Sequence, residues 1–302
     1  MQNWDEIVGE FMIEIQIKGF SKLTIQNYHY KLKKCKLFFE SQEIESIESV
    51  TKQNVKKLIL WLQNEGMQAS SINSILCRLI KLFDYMIEED YIQKNPCAKV
   101  KKLRVQKKIV YPLNDSEIRQ MLAIASKNRS KEIGQRNVTM LSLMLDAGLR
   151  INEVMSLKTE DILENQILIR NAKGNKDRAV ALTPILKKEM RKYKRLKDKT
   201  RYRDCEYFFV SQRGTKGTTK IGAEIMQEIK KQMDVRSVVR FSPHTLRHTY
   251  AHMCMRNGMD IYTLSKNMGH SSVTMTQNYL QTLKSDDFVK ESIKYSTLQN
   301  LR

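Results

Sequence analysis

Four of the five histidines of this chain fall between Phe241 and Tyr279, in FSPHTLRHTYAHMCMRNGMDIYTLSKNMGHSSVTMTQNY. Two of them have partners at spacings that suit work on a phosphate. Ser242 followed by Pro243 reads as a helix start, a capping hydroxyl and then a ring whose fixed φ suits the first helical position. His244 and Arg247 then share the first turn and one face. The free amides and dipole of a helix N-terminus attract anions, so a histidine and an arginine added there form a phosphate-sized socket. The ligand this points to is a phosphodiester. Further on, Gly269 reads as a helix end, His270 sits in the turn, and Ser271 or Ser272 caps a short helix that carries Tyr279 near its far end. A hydroxyl nucleophile thus follows a histidine closely. Upstream, MLDAGLRINEV places Arg150 just after a Gly-Leu break and Glu153 one helical turn later. ILIRNAKGNKDRAVAL reads as a β-hairpin, two aliphatic runs around Gly174-Asn175 with Lys173 at the tip.

Taken singly, a His-x-x-Arg pair or a tyrosine carries little, since packing residues recur at the same spacings. Order and completeness carry more. Arginine, lysine, His-x-x-Arg, histidine and tyrosine, in that sequence, resemble the tyrosine recombinases, or phage integrase family, of Xer-like or mobile-element type, and the resemblance extends over nearly the whole chain. It implies that Tyr279 attacks the scissile phosphate and forms a 3′-phosphotyrosyl bond. A tyrosine hydroxyl, with a pKa of about 10, needs an electropositive pocket and a proton acceptor to do so. Arg150 and Arg247 would hold the non-bridging oxygens, and His244 would add a hydrogen bond. Either His244 or His270 would be the base. Lys173 would protonate the departing 5′ oxygen, with the adjacent Lys176 as its rival, and Glu153 would orient a neighbour. The phosphotyrosyl bond stores the energy of the broken linkage, so neither metal nor cofactor is expected. The implied partners are double-stranded DNA and further copies of the chain, a dimer on one site and a tetramer in synapsis; an accessory DNA-bending protein is compatible with both. The implied roles are integration or excision of a mobile element, or resolution of replicon dimers. Two alternatives stand beside this: a type IB topoisomerase-like strand transferase, and a DNA-binding regulator without the reaction. Asn152 and Met268 depart from the family's usual serine and leucine.

The elements that must position these residues divide the chain. Residues 1–98 read as a helical bundle. Ile7, Phe11 and Ile15 form one stripe ended by Gly19, and Thr24 opens a second helix striped by Tyr28, Leu32, Cys35 and Phe39. Thr51 caps a third, and Ser70 or Ser71 opens a fourth that runs with Ile72, Leu76, Leu79, Phe83 and Ile87 inward towards a stop at Pro96. Lys31 and Lys34, with their neighbours on the second helix, and Lys52 and Lys56 on the third, form basic clusters expected to contact DNA. The resemblance makes this the core-binding domain. Residues 99–112 follow as a basic strap whose Lys101, Lys102, Arg104, Lys107 and Lys108 could track a phosphate backbone.

The catalytic domain is expected over 113–284, mainly α with a small antiparallel sheet. Asn114 or Asp115 caps its first helix, a helix from about 137 to 147 delivers Arg150, and Pro184 starts another. DCEYFFVSQRGT reads as a strand-like run. The last segment, 285–302, reads as an amphipathic tail helix with Asp286 and Asp287 at its start and Val289 and Ile293 four apart. The resemblance implies that it packs on a neighbouring protomer, so that the two domains clamp DNA within an assembly.

Charge agrees with a polyanionic partner. The net charge is +20, and residues 1–100 carry as many acids as bases, so the excess lies wholly in the remainder. The five cysteines are scattered without a C-x-x-C pair, which fits a reducing, cytoplasmic setting. No apolar run is long enough for a membrane span. A zinc reading of His248, His252 and Cys254 lacks a fourth ligand and a general-base glutamate. Tyr262 and Tyr295, the other tyrosines near the site, are expected to pack.

Overall fold

The computed structural model describes residues 3–44, 46–106, 110–170, 177–211, 213–270 and 272–277. The chain divides into two compact units, Met1–Lys107 and Lys108–Arg302.

The first unit is built from α1 (Trp4–Ile17), α2 (Lys22–Glu40), α3 (Lys52–Asn64) and α4 (Ala69–Glu88). Their apolar stripes meet in one core around Ile7, Leu32, Cys35, Leu58, Leu62, Leu79 and Phe83. The caps explain most of the boundaries. Ser21, rather than Thr24, caps α2 by accepting from the Thr24 amide, and Thr51 caps α3 together with Asn54. Helix α4 starts without a side-chain cap, so neither Ser70 nor Ser71 opens it. It also ends well before Pro96. Asp90 takes a left-handed φ of 59°, and the Tyr91 amide then reaches back to the Met86 carbonyl at 2.8 Å, a bond that closes the last turn. Ile87, beside this end, is 36% exposed instead of inward.

The basic stretch after this unit is anchored at its start. Asn73 donates to the Leu103 carbonyl and accepts from the Leu103 amide, both at 2.8 Å, while Val100 and Leu103 pack on the core. Lys101, Lys102 and Arg104 remain exposed. Lys107 and Lys108 lie outside the described residues.

The second unit comprises α5 (Asp115–Ser126), α6 (Lys131–Asp146), α7 (Ile151–Ser156), β1 (Gln166–Ile169), β2 (Arg178–Ala181), α8 (Pro184–Lys197), α9 (Thr219–Gln232), α10 (Pro243–Arg256), α11 (Ile261–Met268) and α12 (Val273–Gln277). Helix α6 is the centre, lying against α5, α8 and α10. It begins at Lys131, earlier than its apolar pattern suggests, because Ser130 caps it. The two strands pair antiparallel with Ile167 opposite Val180, so the sheet is small, as expected of a mainly α unit.

The run containing Phe208 and Phe209 forms no strand. Both rings are buried, at 2% and 1% exposure, and consecutive strand residues cannot point into the same core. The segment is held instead by the Phe208 amide on the Leu157 carbonyl at 2.7 Å and by stacking of Phe209 on Tyr193, centroids 5.2 Å apart. Lys197 adds hydrogen bonds to the Cys205 and Tyr207 carbonyls.

Candidate active site

Gly148 and Leu149 end the passage from α6 to α7, and they do so in a conformation that few residues other than glycine adopt: Gly148 has φ of +62°. Leu149 is fully buried, and Arg150 becomes the N-cap of α7. Glu153, at the third helical position, closes a capping box by accepting from the Arg150 amide at 2.8 Å. A carboxylate placed to cap a helix is thus also placed among guanidiniums.

Three arginines converge on it. Arg150 Nη1 lies 2.9 Å from Glu153 Oε1. Arg178, the first residue of β2, grips both carboxylate oxygens, Nη1 to Oε1 at 2.9 Å and Nη2 to Oε2 at 2.8 Å. Arg247 Nη1 stands 3.9 Å from Oε2. Burial would push the Glu153 carboxyl up, but the hydrogen bonds and charge of Arg178, backed by Arg150, outweigh it and hold the group below the usual carboxylate range. One anion among three cations leaves the cluster strongly electropositive.

The end of α11 forms the opposite wall. Gly269 terminates the helix with φ of +60°, and the carbonyls around it take guanidinium donors. Arg247 Nη2 donates to Met268 O, Arg150 Nη1 reaches the same carbonyl at 3.4 Å, and Arg150 Nη2 reaches Gly269 O at 3.5 Å. The heads of Arg150 and Arg247 are therefore neighbours. Arg247 also donates to Gly148 O, which ties α10 to the turn before Arg150.

His270 follows directly. Its Nε2 lies 3.1 Å from Arg247 Nη2 and its Nδ1 2.8 Å from Thr276 Oγ1 on α12. A guanidinium can only donate, so Nε2 is the bare nitrogen and Nδ1 carries the proton towards Thr276. Burial first, then the charges of Arg247, Arg150 and Arg178, push the imidazole down to about 4, which leaves it neutral at physiological pH.

The α10 pair behaves differently from its spacing. Pro243 does open the helix, but Ser242 makes no capping bond to it; its hydroxyl meets Thr245 Oγ1 at 3.1 Å. Arg247 is only 4% exposed, whereas His244 is exposed. The two do not form a surface pair, because Arg247 turns beneath the Gly148 and Met268 carbonyls. Tyr262 is also not a packing residue: it is 60% exposed with the Lys266 ammonium over its ring. Lys173, Lys176, Tyr279 and Tyr295 lie outside the described residues. Among the described residues no His, Cys, Asp or Glu side chains group in threes as metal ligands would.

Arg178 and Thr276 touch the cluster, and the order of motifs along the sequence does not single them out. A signal existed for the first: Arg178 and the buried Val180 alternate on the inward side of β2, with Ala179 and Ala181 exposed.

In the first unit, Lys31 is partly buried and donates to Ser74 Oγ at 2.6 Å, Lys34 lies over the Trp61 ring, and Lys52 and Lys56 are exposed. Among the described residues no helix is long and apolar enough to cross a membrane.

The family model "Phage integrase family" matches residues 111–286, and "Phage integrase, N-terminal SAM-like domain" matches residues 8–90. Tyrosine recombinase XerC of Bacillus pumilus is 27% identical over 291 residues, covering 94% of each chain. Tyrosine recombinase XerA of Pyrococcus horikoshii is 28% identical over 297 residues, covering 97% of this chain and 94% of that protein. In fold, the chain resembles a lambda integrase dimer bound to a COC′ core site, with TM-score 0.75, 17% identity and coverage of 94% and 97%. It also resembles the XerH site-specific recombinase bound to a palindromic difH substrate, with TM-score 0.73, 22% identity and coverage of 91% and 80%.

Proposed function

The chain belongs to the phage integrase family and is a site-specific tyrosine recombinase, an enzyme that breaks and rejoins DNA strands; from that premise we propose how its residues divide the reaction. Tyr279 attacks the scissile phosphorus, and the bond from phosphorus to the 5′ oxygen breaks, giving a 3′-phosphotyrosyl linkage and a free 5′ hydroxyl. Rejoining is the reverse, with a 5′ hydroxyl as attacker and the tyrosine as leaving group, so the linkage count is conserved and no external energy enters. The observation that carries this reading is the adjacency of the Arg150 and Arg247 heads on the Met268 carbonyl, with His270 against Arg247. Two guanidiniums side by side suit the two non-bridging oxygens of a phosphodiester, whose charge grows in the pentacoordinate transition state.

Of the two histidines we assign the base to His270, since its unprotonated Nε2 lies within the arginine cluster beside Arg247, whereas His244 is exposed. His244, exposed at the first turn of α10, serves as a hydrogen-bond donor to the phosphate. Lys173 protonates the 5′ oxygen. Glu153 keeps Arg150 in place.

The same reading assigns residues 1–98 to DNA binding, with Lys31, Lys34, Lys52 and Lys56 on phosphates, 99–112 to a basic connection, 113–284 to catalysis and 285–302 to a tail exchanged between protomers. Its substrate is double-stranded DNA in the cytoplasm, bound by a dimer at one site and a tetramer in synapsis, and its role is mobile-element integration or excision or replicon dimer resolution. Solved integrases with this fold bound to DNA as dimers and tetramers support the assembly.

The test is a DNA substrate nicked so that the cleaved end diffuses away. The wild type should accumulate a covalent protein–DNA complex that survives denaturation, and Tyr279→Phe should accumulate none. Peptide mapping of the adduct to Tyr262 instead would overturn the assignment.

A further inference from the structure

We propose that Arg178 is a positioning residue of the strand-transfer reaction: it fixes the Glu153 carboxylate, and through it the Arg150 guanidinium, in the orientation that receives the scissile phosphate. The proposal rests on the role given to Arg150 above.

Arg178 joins three segments that are far apart in sequence. It stands at the start of β2, its two terminal nitrogens hold Glu153 on α7, and its Nε donates to the Asn267 carbonyl in the last turn of α11 at 2.9 Å. The side chain is 9% exposed, so the carboxylate contact is shielded from competing water. The protein makes room for it. A Cβ at Gly269 would come within 2.9 to 3.1 Å of the Arg178 head, so the left-handed glycine that ends α11 also clears the space in which this guanidinium lies.

The need for such a residue follows from how many groups share Glu153. Oε1 accepts from Arg150 Nη1 and Arg178 Nη1, while Oε2 accepts from the Arg150 amide and Arg178 Nη2, with Arg247 Nη1 nearby. A carboxylate held only by Arg150 and Arg247 could rotate towards either and draw one of them off the phosphate. The two parallel bonds from Arg178 fix the plane of the carboxylate, which a single ammonium could not do. Arg150 then meets an anchor of one orientation, so the direction in which its guanidinium faces an anion is fixed as well. Misplacement of a phosphate-binding group by about 1 Å costs about 100-fold in rate.

The experiment measures single-turnover cleavage of the nicked substrate by Arg178→Gln, Arg178→Lys and Arg150→Ala, on an ordinary phosphodiester and on one with a methylphosphonate at the scissile position. The methylphosphonate lacks one charged oxygen and so needs the guanidinium clamp less. Arg178→Lys retains a cation beside the buried Glu153 and keeps the variant folded if the glutamine form is not; near-ultraviolet circular dichroism and half-site binding verify this. Both Arg178 variants should bind the half-site within about twofold of wild type. Cleavage of the phosphodiester should fall by about 100-fold for Arg178→Gln and at least about tenfold for Arg178→Lys. The deficit relative to wild type should shrink on the methylphosphonate, in parallel with that of Arg150→Ala. A loss of equal size on both substrates would show a role unrelated to the clamp and overturn the proposal. So would an Arg178→Lys variant that cleaves like wild type while Arg150→Ala does not. Wild-type cleavage by Arg150→Ala would remove the reading of Arg150 itself, and this proposal with it.

Discussion

Replacing Gly148 with alanine tests whether the turn before Arg150 is built as described. Two costs add. The backbone there has φ of +62°, and an L-residue with a Cβ pays about 1–2 kcal/mol in that region. The new Cβ would also lie 2.3 Å from Tyr250 Cδ1 and 2.5 Å from Cε1, distances that force a buried ring to move. Tyr250 is 8% exposed and packs with Ala251, Leu264 and Met268, so it has little room, and overpacking of this kind costs about 1–3 kcal/mol. Gly148→Ala should therefore destabilise the chain by about 2–5 kcal/mol, which lowers the melting temperature by on the order of 10 °C for a domain of this size. The two costs separate in a Tyr250→Val background, where the ring is gone and only the backbone term of about 1–2 kcal/mol should remain. Cleavage should fall further than the folded fraction explains, because the Gly148 carbonyl accepts from Arg247. If Gly148→Ala cost less than about 0.5 kcal/mol, or cost the same with and without the Tyr250 ring, the close approach of α10 to this turn would be wrong.

Stability should also depend on pH in a stated direction. Burial, chiefly, and the nearby His252 push His248 down to about 4 in the folded chain against 6.5 for the ordinary group, although a hydrogen bond with the Val110 backbone opposes the shift. The unfolded chain therefore binds more protons between these values, so the stabilisation is complete above pH 6.5 and is lost as pH falls towards 4. His248 alone should account for about 2 kcal/mol lost by pH 5, before most carboxylates titrate, and His270 adds in the same sense. Urea unfolding at pH 7 and pH 5 measures this, and His248→Leu should reduce the difference; an unchanged difference would refute it. For DNA binding, alanine at Lys101 and Lys102 should flatten the plot of log affinity against log salt by about 0.9 for each phosphate no longer neutralised. Lys36, held by Asp5 at 2.6 Å, should change the slope far less, and an equal effect at all three positions would mean that general charge rather than a specific phosphate pairing sets the slope.

What the sequence reveals of this molecule is the part that is local. Thr51 and Asn114 announce helix starts because their hydroxyl and amide oxygens satisfy amides three residues on. Pro184 fits the first position of α8 after the Thr183 cap, and Gly269 ends α11 because the left-handed turn suits glycine. Helix periodicity finds both cores for the same reason. The failures arise where a distant group decides. Nothing within ten residues of Phe208 indicates that two adjacent rings both turn inward; Tyr193 and Phe209 stacking decides it. The end of α4 is set by an aspartate in a glycine-like conformation rather than by the proline that punctuates the sequence.

The site repeats this division. Arg150 and Glu153 are legible together because a capping box is a three-residue device. His244 and Arg247 have the same spacing, yet they separate, since the carbonyls that receive Arg247 belong to residues 148 and 268. A spacing rule gives the direction in which two side chains leave a helix, and the partner at the end of a long side chain gives where it stops. Arginine is the residue for which this matters most, because its head lies far from its backbone and its five donors must all be satisfied once buried. Arg178 is the extreme case. Its position on β2 marks it as inward-facing, but its carboxylate is 25 positions earlier and its carbonyl 89 positions later, so only the folded chain brings the three together. The residue types proposed for catalysis are thus readable in order along the sequence, whereas the contacts that hold the arginine heads in one orientation are properties of the tertiary structure.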